Sequence, residues 1–298
     1  LIVIIAYPYG IPKVLKVHEY FALIFVLKLA SVMKRAYLLV DDFDPPVEAA
    51  YVFSKDEPSD LLSAYYRFRD FLTFRLATVV MTVSESFGQY FGMLYRITEK
   101  ILVVPNGCLM EYVEQFPPRK EGSIMVLYAG HALKVNDVDK LVMAVKGLRE
   151  RGLQIDLTVA GRKMMDLPAW VDTVSYEWPT FIEKVISKAD ICVIPYSPSF
   201  LFRNFASPAK LYDYMAAGKP IVSTNLKETA IVLRGFGCGL VARDWKEFQC
   251  YIETLYYDRE LCRKLGENGR KAAEIFFDYN ILANRVLGII HSLLIGLE

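Results

Sequence analysis

The sequence predicts an α/β protein made of two parallel-sheet domains, and three observations carry that prediction. Short apolar runs alternate with longer helical stretches along the chain, as in βα units wound around parallel strands. The segment Gln115-Phe116-Pro117-Pro118-Arg119-Lys120-Glu121-Gly122 divides the alternation into two series; paired prolines, charges and a glycine are linker chemistry. The run from Ser207 to Ser223 reads as a helix with its own start and stop signals, followed by a short apolar strand. At 298 residues the chain is long enough for two such domains, each with a substantial core.

In the first series, buried strands are expected at Leu1–Ala6, Ala36–Val40, Val79–Val83 and Ile101–Val104. Helices near Lys16–Met33, Leu61–Leu76 and Ser86–Tyr95 lie between them. The second series has strands at Ile124–Tyr128, Gln154–Ala160, Thr173–Tyr176, Ile191–Ile194, Ile221–Ser223 and Gly239–Val241. Helices near Asp137–Arg151, Phe181–Lys188, Ala209–Ala217 and Trp245–Tyr257 separate these, and Arg259–Phe276 and Tyr279–Leu294 follow as helical stretches. The expected domains are therefore 1–118 and 119–276, with a C-terminal helix at 277–298.

Composition narrows the function classes. With 35 basic and 34 acidic residues the net charge is +1, which gives nucleic acid no electrostatic footprint to bind. The chain is 54% hydrophobic, but its longest apolar block, Tyr20–Leu27, falls far short of the roughly 20 residues a membrane span needs. No spanning helix and no signal peptide are expected. Five cysteines (Cys108, Cys192, Cys238, Cys250, Cys262) show no C-x-x-C spacing, which suits free thiols in a reducing cytoplasm. The apolar stretches Lys16–Met33 and Tyr279–Leu294 read either as core helices or as surfaces for peripheral membrane contact at the cytoplasmic face.

The helix opening at Ser207 carries the chemistry. Ser207 is the expected N-cap, Pro208 the first helical residue and Gly218 the stop. Unpaired N–H groups and partial positive charge at such an end attract phosphate, and Lys210 in the first turn adds a full charge. Asp213, one turn further on the same face, could accept hydrogen bonds from a ribose diol. The bland reading of Lys210 and Asp213 is a solvated i,i+3 pair.

The run from Pro208 to Ile221 resembles the donor-site helix of retaining GT-B glycosyltransferases of glycosyltransferase family 4, which carry P-x-K-x-x-E-Y-x-A-x-G-x-P-V. Asp213 stands in the Glu place and Ile221 in the Val place. The resemblance extends from about Val79 to the C-terminus. Thr82-Val83-Ser84-Glu85-Ser86 is similar to the family's tVS-x-S segment, with Ser84 or Ser86 able to cap the next helix. Val103-Val104-Pro105-Asn106-Gly107 resembles its V-I-P-N-G-V-D segment, and Asn-Gly is a turn signal by itself. Gly130 matches the family's F-V-G-R, with His131 in the Arg place. Asn136-Asp137-Val138-Asp139 falls on K-G-V-D, leaving Lys134 as the nearest lysine. A lost arginine removes a bidentate phosphate clamp. Gly161 and Arg162 partly match A-G-x-G. Tyr176-Glu177-Trp178 falls where the nucleotide base is bound, so Trp178 could stack there.

What the resemblance implies is two Rossmann-like domains facing across a cleft, with the C-terminal helix crossing back to the first. It implies transfer of a sugar from a nucleotide-diphosphate donor to a glycan, lipid or small-molecule acceptor, with retention at the anomeric carbon. No metal and no cofactor are required, the nucleotide sugar being a substrate. Lys210, Lys134 and His131 would stabilise the leaving diphosphate. Gly130, Gly161, Arg162, Arg203, Asn204, Ser207, Pro208, Ala209 and Asp213 would bind the donor. Asp42 would take the place of the Asp in an "H-D" strand end facing the cleft.

Two departures stand out. Phe205 occupies the place of the first glutamate of the family's E-x7-E, leaving Arg203, Asn204 or backbone groups as sugar contacts. Gly10 is the sole glycine before Gly88, so nothing matches the family's opening strand and glycine-rich loop; either the first domain is incomplete in this sequence, the favoured expectation, or its acceptor side is built differently. Three competing readings follow from the residues. Asp42-x-Asp44 resembles a metal-binding D-x-D. A non-catalytic GT-B relative acting in binding or scaffolding would suit His131 and Phe205. A dinucleotide oxidoreductase would need G-x-G-x-x-G after a strand, which is absent.

Overall fold

The computed structural model describes residues 2–6, 25–29, 32–33, 37–42, 47–49, 59–113, 123–132, 136–161, 165–175 and 180–295. They form an α/β fold with two all-parallel sheets. The first holds β1 (Ile2–Ala6), β2 (Tyr37–Asp42), β3 (Val79–Thr82) and β4 (Ile101–Val103), in the order β1-β2-β3-β4. The second holds β5 (Ile124–Ala129), β6 (Ile155–Ala160), β7 (Val171–Val174), β8 (Ile191–Ile194), β9 (Ile221–Thr224) and β10 (Gly239–Ala242), in the order β10-β9-β8-β5-β6-β7. Strands covered on both faces read as unbroken apolar runs, and in the central strand β8 all four residues are buried.

The chain divides into two compact units. One comprises Leu1–Pro105, Phe200–Ala206 and Asn284–Glu298; the other comprises Asn106–Ser199 and Ser207–Ala283. The linker-like segment Gln115–Gly122 lies outside the described residues, as does all of the Lys16–Met33 stretch except residues 25–29 and 32–33, which are helical.

In the first unit α1 (Asp60–Leu76) and α2 (Glu85–Tyr95) flank the strands. Ser84 caps α2, its hydroxyl accepting the Phe87 N–H at 3.0 Å. In the second unit α3 (Val138–Glu150) turns Val138, Leu141, Val142, Val145 and Leu148 inward at helical spacing. Helices α4 (Thr180–Lys184), α5 (Leu201–Phe205), α6 (Ala209–Ala216), α7 (Lys227–Phe236), α8 (Trp245–Tyr257), α9 (Arg259–Ala272) and α10 (Tyr279–Ile295) follow in order.

Three elements differ from their expectations. The strand expected at Thr173–Tyr176 is β7, two residues earlier; it is an edge strand whose Asp172 and Thr173 are exposed, which weakens the apolar signal. The single helix expected at Phe181–Lys188 is α4 plus a separate 3₁₀ turn at Ile186–Lys188, the two parted at Val185. The stretch Arg259–Phe276 is α9 followed by a π-helical turn over Ala273–Phe277.

Candidate functional site

The strand order locates the site. From β5 the chain winds outward through β6 and β7, then returns to β8 on the other side and winds away through β9 and β10. At such a reversal the loops leaving the two adjacent strands part, opening a crevice at their carboxyl ends. A pocket of about 370 Å³ sits there, lined by Ala129, Gly130 and His131 after β5, Ala160 and Gly161 after β6, Ser175 after β7, Phe181, and Lys210 from α6.

Glycines bring the strand ends together. The Gly130 N–H donates to the Ala160 carbonyl at 2.8 Å and the Gly161 N–H to Val174 at 2.9 Å, extending the ladders past the strands. A Cβ on Gly161 would stand 2.3 Å from the Gly130 carbonyl oxygen, and one on Gly130 would stand 2.5 Å from Lys210 Nζ. Backbone and cation approach the pocket only because these side chains are missing.

Lys210 is half-buried at the first turn of α6. Its ammonium donates to the Tyr196 hydroxyl and lies 4.6 Å from the Tyr128 ring centre and 4.8 Å from that of Tyr196. The two rings meet edge to face at 6.3 Å, and the Tyr128 hydroxyl donates to the His131 carbonyl at 3.3 Å. A cation between aromatic faces is held by roughly 0.5–2 kcal/mol, so Lys210 points along one line rather than sweeping solvent. From the same helix, the Tyr214 hydroxyl accepts the Ala129 N–H at 2.7 Å and pins α6 to the end of β5.

The opening of α6 differs from its sequence reading. Pro208, with ψ 130°, is the N-cap rather than the first helical residue, and no side chain caps the helix. Ser207 lies one position too early for that role, and its hydroxyl pairs with Tyr212 instead. Its carbonyl accepts the Asn106 side-chain amide at 2.6 Å. Pro208 and Ala209 follow at the helix tip, half-buried and exposed. The other end meets expectation: Gly218 (φ 67°) and Lys219 donate to Met215 and Tyr214 in a Schellman stop.

Asn106-Gly107 does not form the turn its composition suggests; neither residue has a positive φ. No turn is assigned there, and Cys108 next to it pairs with Asp278 as a parallel bridge. Gly107 is needed because a Cβ would lie 2.3 Å from the Phe277 carbonyl oxygen.

Asp213 is half-buried one turn beyond Lys210. Burial pushes its carboxyl up to about 7, and the Lys210 charge opposes that rise.

The remaining expected residues fall as follows. His131 is exposed and lines the pocket; Asn136, in the place of the family's lysine, is buried and donates through its side-chain amide to the His131 carbonyl at 3.0 Å. Asp137 takes φ 50°, the left-handed conformation for which the family's glycine is suited. Lys134, Arg162, Asp44 and Trp178 lie outside the described residues, and for Asp42 only the backbone, closing β2, is described. Arg203 and Asn204 sit on α5 in the other compact unit and do not line this pocket. There Phe205 packs edge to face on Phe87 at 5.8 Å and on Tyr90 at 5.9 Å. Sequence reading missed Tyr128, Tyr196 and Tyr214 as shapers of the site; their one signal is a cluster of aromatics where strands end and α6 begins.

A pocket at the strand reversal, glycine-tipped strands and a cationic helix start together make an α/β site suited to an anionic ligand. Residues 112–272, more than half of the chain, match the family "Glycosyl transferases group 1", and the chain belongs to that family. It is 27% identical over 165 residues to "Putative glycosyltransferase EpsD" of Bacillus subtilis (strain 168), a match covering 52% of this chain and 42% of that protein. The chain thus spans about two fifths of that relative. Its fold is similar to sucrose-phosphate synthase from Thermosynechococcus elongatus, with TM-score 0.73 and 15% identity over 96% of this chain and 81% of that one. It is also similar to Anabaena Alr3699/HepE in complex with UDP and glucose, with TM-score 0.67 and 16% identity over 90% and 75%. The fold is therefore GT-B.

Proposed function

We propose that this chain is a retaining glycosyltransferase of family 4 that moves a hexose from a nucleotide-diphosphate donor to a glycan or lipid-linked acceptor. The observation that carries the reading is Lys210, clamped by Tyr128 and Tyr196 at an uncapped helix start beside Gly130 and Gly161. Two like features, a helix dipole and a full charge, converge where negative charge would develop on a leaving diphosphate. Similarity of fold to HepE, whose structure is in complex with UDP and glucose, supports a nucleotide sugar as the donor. In the family's usual proposal the leaving phosphate accepts the acceptor's proton on the same face, so no separate base is required. Asp213 would accept from the ribose diol. His131 assists with a weaker hold on phosphate than arginine gives. Lys134 and Arg162 are candidates for the rest of that hold, and Arg203 and Asn204 for contacts to the sugar. The reaction as proposed uses the nucleotide sugar as substrate and needs no cofactor. Its setting would be the cytoplasm, with peripheral membrane contact for a lipid-linked acceptor.

Lys210→Ala tests it. Transfer and donor hydrolysis should fall at least about 100-fold, as when one preorganised oxyanion donor is removed, with the melting temperature of the free protein lowered by no more than a few degrees. UDP or UDP-glucose should raise the melting temperature of the parent and not of the variant. Near-normal turnover by Lys210→Ala would overturn the proposal. The placement of His131 and Asn136 where arginine and lysine are expected favours one rival, a non-catalytic relative; failure of UDP and GDP alike to bind in calorimetric titration would select it.

A further inference from the structure

The loop that leaves β8 reads Pro195-Tyr196-Ser197-Pro198, so two of its residues have no backbone N–H to donate. The ladder between β8 and β9 ends at the pair Ile194 and Ser223, where Pro195 cannot continue it. A side chain takes over one step further on. The Thr224 hydroxyl, at the end of β9, donates to the Tyr196 carbonyl at 2.6 Å. The other acceptor in its reach, the Ile194 carbonyl, is 3.5 Å away, so the single hydroxyl proton goes to Tyr196. Tyr196 is 4% exposed and Thr224 7%, which keeps bulk water off this bond. A β-branched residue filling a strand end would be the bland account of Thr224, but valine would fill the same space. What valine lacks is the hydroxyl.

We infer that Thr224 is a positioning residue for the donor site: by holding the Tyr196 backbone it aims the phenol that holds the Lys210 ammonium. The inference rests on the reading of Lys210 as the diphosphate contact. A lysine ammonium rides on a flexible four-carbon stem, whereas tyrosine has only two side-chain torsions. With the Tyr196 backbone fixed, its hydroxyl and ring move little, and the ammonium bonded to that hydroxyl and 4.8 Å from the ring centre is fixed with them. Thr224 does not itself line the pocket, so its effect passes through Tyr196. Helix α6, Gly218 and β9 run consecutively in the chain. The strand that follows the donor helix therefore returns to set the direction of that helix's own lysine. Small displacements matter here, because a misplacement of about 1 Å near reacting atoms costs as much as about 100-fold.

Ligand-observed NMR titration of the full chain with UDP and with uridine tests this. Thr224→Val should lower UDP affinity about tenfold and leave uridine within about twofold, since the nucleoside carries no phosphate for the ammonium to meet. General loosening of the fold would weaken both ligands alike. Thr224→Ser keeps the hydroxyl and should restore UDP to within about twofold of the parent. In a Tyr196→Leu background, adding Thr224→Val should cost less than about twofold more, because two changes on one path are not additive. Thr224→Cys, close in volume and a weak donor, serves should the valine variant not fold; its UDP loss should be about threefold. Unchanged UDP affinity in Thr224→Val, an equal loss of uridine, or the full tenfold loss persisting in the Tyr196→Leu background would each overturn the inference. Lys210→Ala separates the two claims. If it binds UDP like the parent, the reading of Lys210 fails and the role of Thr224 with it; if it loses UDP while Thr224→Val does not, only the role of Thr224 fails.

Discussion

Replacing Gly130 by alanine would set a new carbon 2.5 Å from the Lys210 ammonium, the end of a long side chain, and 2.6 Å from the hydroxyl of the buried Tyr128 ring. Replacing Gly161 would set one 2.3 Å from a backbone oxygen that cannot yield. The two glycines therefore differ in outcome. Gly161→Ala should cost about 2–4 kcal/mol in urea unfolding, as overpacking against main chain does. Gly130→Ala should cost less stability and instead reduce UDP affinity by displacing the cation. Asp213 offers a second residue-scale reading. Its carboxyl, ordinarily near 3.8, sits at about 7 in the folded chain because of burial. Between those values the folded chain keeps a proton that the unfolded chain has released. Stability from this group is thus full at low pH and is lost as pH rises through about 7. Asp213→Asn should flatten that decline in thermal unfolding profiles between pH 4 and pH 7.

At the scale of elements, α6 is placed by contacts from three distant segments. Tyr214 ties it to β5, Asn106 holds the Ser207 carbonyl before its first turn, and Tyr212 packs on Phe277 at 4.8 Å between ring centres. Asn106→Ala should cost about 1–3 kcal/mol by leaving a buried carbonyl unsatisfied. It should also loosen the helix start, so UDP affinity falls as well; denaturant unfolding and calorimetry read the two effects. The helix itself was legible in the residues: Pro208, the apolar spacing and the Gly218 stop are local signals. Its cap was not. A serine next to a proline is a capping signal on composition alone, yet whether the serine or the proline occupies the cap depends on what holds the Ser207 carbonyl. The Asn-Gly pair departs from its turn signal for the same reason, because the Cys108–Asp278 bridge beside it overrides the local preference for a turn.

Across the whole molecule, burial decides reactivity. Cys108, Cys192, Cys238 and Cys262 are buried and Cys250 is exposed. Burial pushes the Cys108 and Cys238 thiols up to about 12 and that of Cys262 to about 11. Since the thiolate is the reactive form, one thiol of the five should react quickly with a disulfide reagent in the native protein, and all five in denaturant. Among the described residues no helix is long and apolar enough to cross a membrane.

The sequence by itself determined the alternation of strand and helix, the parallel character of the sheets and a lysine at a helix start. Each of these is written in the period of apolar residues or in stop signals a few positions long. Tertiary structure alone decided that β5 lies beside β8, so that Tyr128 from one strand end and Tyr196 from the other close on the Lys210 ammonium. It also decided that α1 buries the Arg69–Asp70 pair together with Tyr66 and Phe74. Strand order and the choice of buried face are set by contacts between segments far apart in the chain, and no local periodicity encodes which distant partner a strand or a helix face will meet.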